Sequence, residues 1–294
     1  MTGIKTMELA YLSGLFDAEG CVHLARIARG DSFRYILDAS ICQTDREGID
    51  LALNLLGGNF VQSTNQKRTA YYWRSQSLKG VAAISLLRPF CIGKAEQIDF
   101  ALAALQLERP RNGNLQENET YWQKVRATLT AMKGPRDASL PQHCLDWTPA
   151  EKAAYAAGFI DGDGCILCDA GRRNARGHRA IYPRLEAGTN HAGPLRLLAH
   201  MYGGSIYRSR TENNFRWKIT CGSALAAIED MLPYMLVRRD QAAVALGFKP
   251  LLGSAAGGAR MSDETRRARE QIYIGLSAYK TKNRRASAWV EERP

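Results

Sequence analysis

Four residues of this 294-residue chain combine reactive chemistry with matched spacing. Glu19 lies in LSGLFDAEG and Asp163 in AAGFIDGDG, and a base follows each at one distance: Lys94 is 75 residues beyond Glu19, Arg238 is 75 beyond Asp163. Two carboxylates set side by side repel, and the negative ends of the helices preceding them add to the field. A divalent cation offsets this, and oxygen-only ligands select a hard ion such as Mg²⁺. Carboxylates holding a metal over a phosphate diester suit in-line hydrolysis by an activated water. Lys94 and Arg238 would supply flanking positive charge. One acid–glycine pair after a helix is ordinarily only a turn. Its recurrence with an equally spaced base favours the chemical reading.

The doubled stretches belong to a longer repeat. A shift of 144 residues aligns Trp73 with Trp217, Pro89 with Pro233, and VAAIS with LAAIE, while Gly57-Gly58 meets Gly203-Gly204 after a two-residue slip. A period this long implies two whole domains fused head to tail: 1–133, a linker over 134–147 (GPRDASLPQHCLDW), and 148–294. Thr148-Pro149-Ala150-Glu151 restarts a helix with an N-cap, a proline in the first turn and a capping box. In each leading helix small residues fall four apart: Ala10, Gly14, Ala18, then Ala154, Gly158, Gly162. Such ridges let two helix backbones approach closely, which explains glycines that cost a helix interior about 1 kcal/mol each. Side by side, these helices would bring Glu19 and Asp163 together.

Each copy reads as helix, two strands, helix, two strands and further helices. That predicts an α+β domain, one antiparallel four-stranded sheet with helices on a single face. With Trp73 and Trp217 inward, Tyr72, Arg74 and Gln76 point outward in copy one, and Arg216, Lys218 and Thr220 in copy two. The same counting puts Arg34, Asp38, Ser40, Gln62 and Thr64 outward, with Arg184, Glu186, Arg208 and Arg210 opposite. In the first strand His23, Ala25 and Ile27 share that face and Arg26 the other, unless a bulge intervenes. Side chains of these types read base edges in a major groove, which admits a β-ribbon. A net charge of +11 favours a polyanionic partner. Arg172, Arg173, Arg176 and Arg179 around the first hairpin tip of copy two suit phosphate contacts as well as base contacts.

Other classes are excluded or disfavoured. No apolar run is long enough to span a membrane, and Met1–Met7 lacks a signal-peptide layout. Seven scattered cysteines point to a reduced, intracellular protein. Cys165-x-x-Cys168 has no second pair to complete a zinc site.

At LSGLFDAEG and AAGFIDGDG, each followed by two strands, nearly the whole chain resembles the single-chain LAGLIDADG homing endonucleases. The resemblance implies a monomer with pseudo-two-fold symmetry, a saddle of two sheets on DNA, and double-strand cleavage across the minor groove. It assigns metal binding to Glu19 and Asp163 and to the carbonyls of Ala18 and Gly162, with Mn²⁺ or Ca²⁺ accepted in place of Mg²⁺ and Ca²⁺ failing to support cleavage. It makes Lys94, in PFCIGK, a water-positioning base; Arg238 replaces it in PYMLVR and transfers protons poorly. It makes Gln43 a water-orienting residue, matched in copy two by Thr189 or Asn190, and it leaves Asp17 and Asp161 as structural hydrogen-bonders. With about 10 base pairs per half, the double-stranded target would be asymmetric and about 20 base pairs long. Rival readings are an intron-splicing RNA maturase of the same fold and a non-cleaving DNA-binding regulator. Matched acids in both copies favour the nuclease.

Overall fold

The structure, a computed structural model, describes residues 3–29, 32–63, 69–106, 115–172, 179–209, 212–253 and 261–288. The first half runs α1 (Gly3–Glu19), β1 (Gly20–Arg29), β2 (Ser32–Gln43), α2 (Glu47–Leu56), β3 (Asn59–Ser63), β4 (Ala70–Gln76), α3 (Ser77–Leu87), α4 (Ala95–Gln106) and α5 (Leu115–Ala131). The second repeats the order: α6 (Pro149–Asp163), β5 (Gly164–Ala170), β6 (Ile181–Thr189), α7 (Ala192–Tyr202), β7 (Ser205–Arg208), β8 (Phe215–Thr220), α8 (Cys221–Met231), α9 (Arg239–Leu246) and α10 (Asp263–Ala288). Each half forms a four-stranded antiparallel sheet, ordered β1-β2-β4-β3 and β5-β6-β8-β7. The fold is α+β, two sheets of one design.

Alternation along the strands explains the layers. Trp73 and Trp217 are fully buried beneath the helices. Each indole donates its Nε1–H to a glycine carbonyl, Gly57 at 2.6 Å and Gly203 at 2.9 Å. Those glycines end α2 and α7 with φ of 65° and 73°, a backbone conformation that glycine adopts without steric cost. Cys165 and Cys168 pair with Glu186 and Pro183 on opposite faces of their sheet, so they do not converge on one ion.

The joint between the halves is α1 against α6. Ala10, Ala154 and both interior glycines are buried there. A Cβ on Gly14 would lie 2.0 Å from the Tyr155 carbonyl oxygen, and one on Gly158 would lie 1.9 Å from the Tyr11 carbonyl. Backbone touches backbone at both crossings, and only glycine fits. α6 starts as its sequence dictates: Thr148 Oγ1 accepts from Glu151 N, and Glu151 Oε2 accepts from Thr148 N.

The stretch from Gly134 to Trp147 is a packed strap rather than a loose tether. Arg136 N donates to Asn190 O at 2.7 Å, and Ala192 N donates back to Arg136 O at 2.9 Å. Trp147 packs against Phe90 of the first half and Tyr155 of the second, with ring centroids 5.3 and 5.4 Å apart. Among the described residues no helix is long and apolar enough to cross a membrane.

Gly158→Ala should therefore cost about 3 kcal/mol or more, the upper end for overpacking, because the clash is with backbone. Gly222→Ala, where a new Cβ meets only Leu252 at 3.9 Å, should be near neutral. Denaturant midpoints of the two variants measure the contrast. Equal midpoints would show that the α1–α6 contact is slack.

Candidate active site

The close crossing carries the C-terminal turns of α1 and α6 to one place. A Cβ on Gly162 would stand 2.4 Å from Ala18 Cβ and 3.2 Å from Glu19 Cγ, so the two acidic turns interlock. Burial raises the Glu19 carboxyl above its ordinary range, with Lys94 and Arg238 pulling it back. Burial, and then the neighbouring Glu19, push Asp163 up to about 7, again opposed by Lys94 and Arg238. The sequence brought these four residues together by arithmetic, and the structure has them in one electrostatic neighbourhood.

The acids preceding them do different work. Asp17 accepts from the backbone N–H groups of Ile92, Gly93 and Lys94 at 2.6–2.8 Å. Asp161 accepts from Leu236, Val237 and Arg238 at 2.8–3.0 Å. Each also takes a phenol from the opposite half: Tyr155 donates to Asp17 at 2.7 Å and Tyr11 to Asp161 at 2.8 Å. These two carboxylates fix the segments that carry the bases. Tyr11 and Tyr155 were not singled out from sequence, although they obey the same 144-residue shift.

The bases cap helix ends. Lys94 Nζ donates to the Asp17 carbonyl at 2.5 Å. Arg238 donates through Nε to Ile160 O at 2.8 Å and reaches Gly162 O at 3.4 Å. Cations there answer the negative end of the helix dipole. Among the described residues no basic group lies within 4 Å of Glu19 or Asp163. The acids are thus desolvated and only distantly compensated.

A cleft of about 370 Å³ opens beside them, lined among others by Lys94, Asp163, Thr189, Asn190, His191 and Asn214. Lys133 borders it too, 3.2 Å from Cys21 Sγ. Lys133, His191 and Asn214 escaped sequence reasoning because neither periodicity nor the repeat marks them. The turn after α5 and the β6–α7 turn bring Lys133 and His191 here. Register settles one open match: Gln43 pairs with Tyr71 and Thr189 with Phe215, so Thr189 rather than Asn190 is the counterpart of Gln43. Gln43 is buried, and its Oε1 lacks a hydrogen-bond partner among the described residues.

The donor set fits a hard cation. Glu19 and Asp163 offer carboxylate oxygens, and Ala18 and Gly162 have carbonyls in the last turns, which lack intrahelical donors. Among the described residues no cluster of three or more His, Cys, Asp or Glu completes an all-side-chain cage. Mg²⁺ is commonly held by one or two carboxylates with waters and substrate phosphates filling the rest.

The outer sheet faces differ from expectation at their edges. Directly opposed residues of an antiparallel pair share a face. Gln62 pairs with Tyr71, and Arg208 pairs with Phe215, so both lie on the Trp73 and Trp217 side. Asn59, Val61 and Ser63, and Ser205 and Tyr207, take the outer positions instead. Counting had carried strand parity across hairpins whose length the alternation does not reveal. Thr64, Arg210, Arg173 and Arg176 lie outside the described residues. β1 runs without a bulge, and Arg26 stays on the helix side, bonded to Glu119 of α5 at 2.8 Å. Arg179 is likewise held, by Glu270 of α10 and over the Tyr273 ring, whereas Arg172 is exposed.

On the outer face of the first sheet stand Arg34, Ser40, Tyr72, Arg74 and Gln76 as counted. Asp38 stands there too but is fully covered, its carboxylate taken by Arg74 and Gln76. In the second sheet Arg184 pairs with Asp169 and lies 3.4 Å from Glu186, Lys218 lies 3.4 Å from Asp169, and Arg216 pairs with Glu212.

No protein-family model matches the chain, and no curated protein matches it. Solved structures do. I-SmaMI bound to an uncleaved DNA target with calcium ions superposes with a TM-score of 0.64 at 12% identity, over 92% of this chain and 98% of that one. The LAGLIDADG meganuclease I-AabMI bound to uncleaved DNA gives 0.63 at 16% identity, over 91% and 98%. The I-SmaMI LAGLIDADG homing endonuclease bound to cleaved DNA gives 0.62 at 13%, over 91% and 96%. At these identities the likeness is one of fold, and it extends across both halves of the chain.

Proposed function

We propose that this protein is a site-specific DNA endonuclease that cuts both strands of a long, asymmetric duplex target by metal-dependent phosphodiester hydrolysis. The observation that carries the reading is the pairing of Glu19 and Asp163 at the foot of α1 and α6, without a base in ion-pair contact among the described residues. Two open, polar sheet faces flank that pair, and the net charge is +11. The neighbours of like fold were solved on DNA, which supports the same partner here.

Glu19 and Asp163 would hold the cation, with the Ala18 and Gly162 carbonyls beside them. When bound, a divalent cation supplies charge neutralisation at the phosphate and an activated water. Lys94, anchored at the Asp17 carbonyl, is placed to steady charge on a phosphate oxygen and to order water. Arg238 keeps the charge but not the proton chemistry, since its guanidinium stays protonated. Gln43 and Thr189 take matched positions at the ends of β2 and β6 for water orientation. Asp17 and Asp161 hold the two basic segments in place. Arg34, Arg74, Gln76, Lys218 and their neighbours contact the duplex, and a single chain carrying both halves suffices as a monomer.

Asp163→Asn should abolish double-strand cleavage while binding stays within about tenfold, roughly 1.4 kcal/mol. Electrophoretic shift and cleavage assays on one target separate the two effects, and unchanged cutting would refute the assignment. The same change should stabilise the metal-free protein. An acid whose folded pKa is raised binds more protons folded than unfolded, so it loses stability as pH rises from about 4 to about 7. The thermal midpoint of Asp163→Asn should exceed the parent's at pH 7.5, and the gain should shrink towards pH 4. Binding should also weaken steeply with salt, log K falling by about 0.9 per log unit for each phosphate contacted. A flat salt dependence would contradict the role of the sheet-face bases.

A further inference from the structure

Asp38 is a fully buried carboxylate on a face where Arg34, Arg74 and Ile27 are exposed. It pairs across the sheet with Gln76 on β4 and with His23 on β1. Gln76 Nε2 donates to it at 2.8 Å, and Arg74 Nε donates at 2.7 Å with the guanidinium NH2 joining. His23 Nε2 is 3.7 Å away. We propose that Asp38 positions Arg74 and Gln76 so that the first sheet reads a guanine close to a base carrying an exocyclic amino group, adenine or cytosine, in the major groove.

The reasoning follows from donors and acceptors. A carboxylate only accepts, so Gln76 must turn its amide nitrogen towards Asp38 and its Oε1 away. An outward Oε1 accepts from adenine N6 or cytosine N4 and has nothing to offer guanine O6 or thymine O4. Arg74 has its Nε edge engaged and its other edge turned out, with the side chain 45% exposed. That fork matches guanine O6 and N7. Arg74 and Gln76 are two residues apart on one strand, about 6.8 Å, which spans about two base-pair steps. The second sheet lacks the device: Arg184 faces Thr220 as Asp38 faces Gln76. The effect is confined to one half of the target.

The inference rests on the nuclease reading, and selection of bound sequences from randomised duplex DNA without Mg²⁺ tests both separately. The parent should enrich one site with a guanine and an adenine or cytosine close together in one half. Asp38→Asn keeps the shape but removes the charge that holds the guanidinium and turns one of the two acceptor oxygens into an amide donor. It should lower those two preferences by about five- to hundredfold while the other positions keep theirs. Arg74→Ala and Gln76→Ala, on the open face, should each flatten one position, and Asp38→Asn added to Arg74→Ala should change nothing further at the guanine. A uniform loss across all positions, or an unchanged profile in Arg74→Ala and Gln76→Ala, would overturn the role given to Asp38. A parent that enriches no sequence would overturn the DNA reading as well.

Discussion

The contact between the backbones of α1 and α6 at Gly14 and Gly158 is the constraint from which the rest follows. Helices with side chains between them keep axes 8–10 Å apart. Here each glycine Cα faces a carbonyl of the other helix, and the two halves have no freedom to slide. The phenols of Tyr11 and Tyr155 then cross to Asp161 and Asp17, so register is fixed by paired hydrogen bonds as well as by shape. Those aspartates in turn gather three backbone N–H groups each from the segments bearing Lys94 and Arg238. A single packing decision thus places two acids, two bases and the strap.

That decision has an electrostatic cost. Desolvation raises both Glu19 and Asp163, and the C-terminal ends of two helices add negative potential beside them. A fold selected for stability alone would put Lys94 and Arg238 against the acids. Instead both cap helix carbonyls. Buried acids at shifted pKa without contact partners occur where a site needs them, and stability is given up in exchange.

The repeat made the site legible. Equal offsets in two copies carry information that a single motif lacks, and they mark Glu19, Asp163, Lys94, Arg238, Trp73 and Trp217 from the sequence alone. Tyr11 and Tyr155 carry the same mark, but an aromatic residue on a buried helix reads as core until its hydroxyl is seen to meet a carboxylate. Strand parity was readable along β4 and β8, where tryptophan anchors the inward face. It failed on β3 and β7, because register across a hairpin depends on the turn and a slip of one residue exchanges the faces. Lys133 and His191 could not be read at all: they lie in the turn after α5 and in the turn between β6 and α7, which no internal symmetry predicts.

The same argument explains why the halves are not interchangeable. The acids, the glycines and the aspartate clasps sit where both copies must satisfy one joint, and there the residue types match. The outer sheet faces have no such shared constraint. At the position where copy one buries Asp38 beneath Arg74 and Gln76, copy two has Arg184 drawn towards Asp169 on the neighbouring strand. Charge has changed sign at one place in the fold while the backbone pairing stayed the same. Duplication in a single chain permits this: the joint holds the paired acids and aspartate clasps in matched places, and each face is free to acquire a different pattern of donors and acceptors. The turn between α5 and the strap adds to the difference by bringing Lys133 and Gly134 to the cleft.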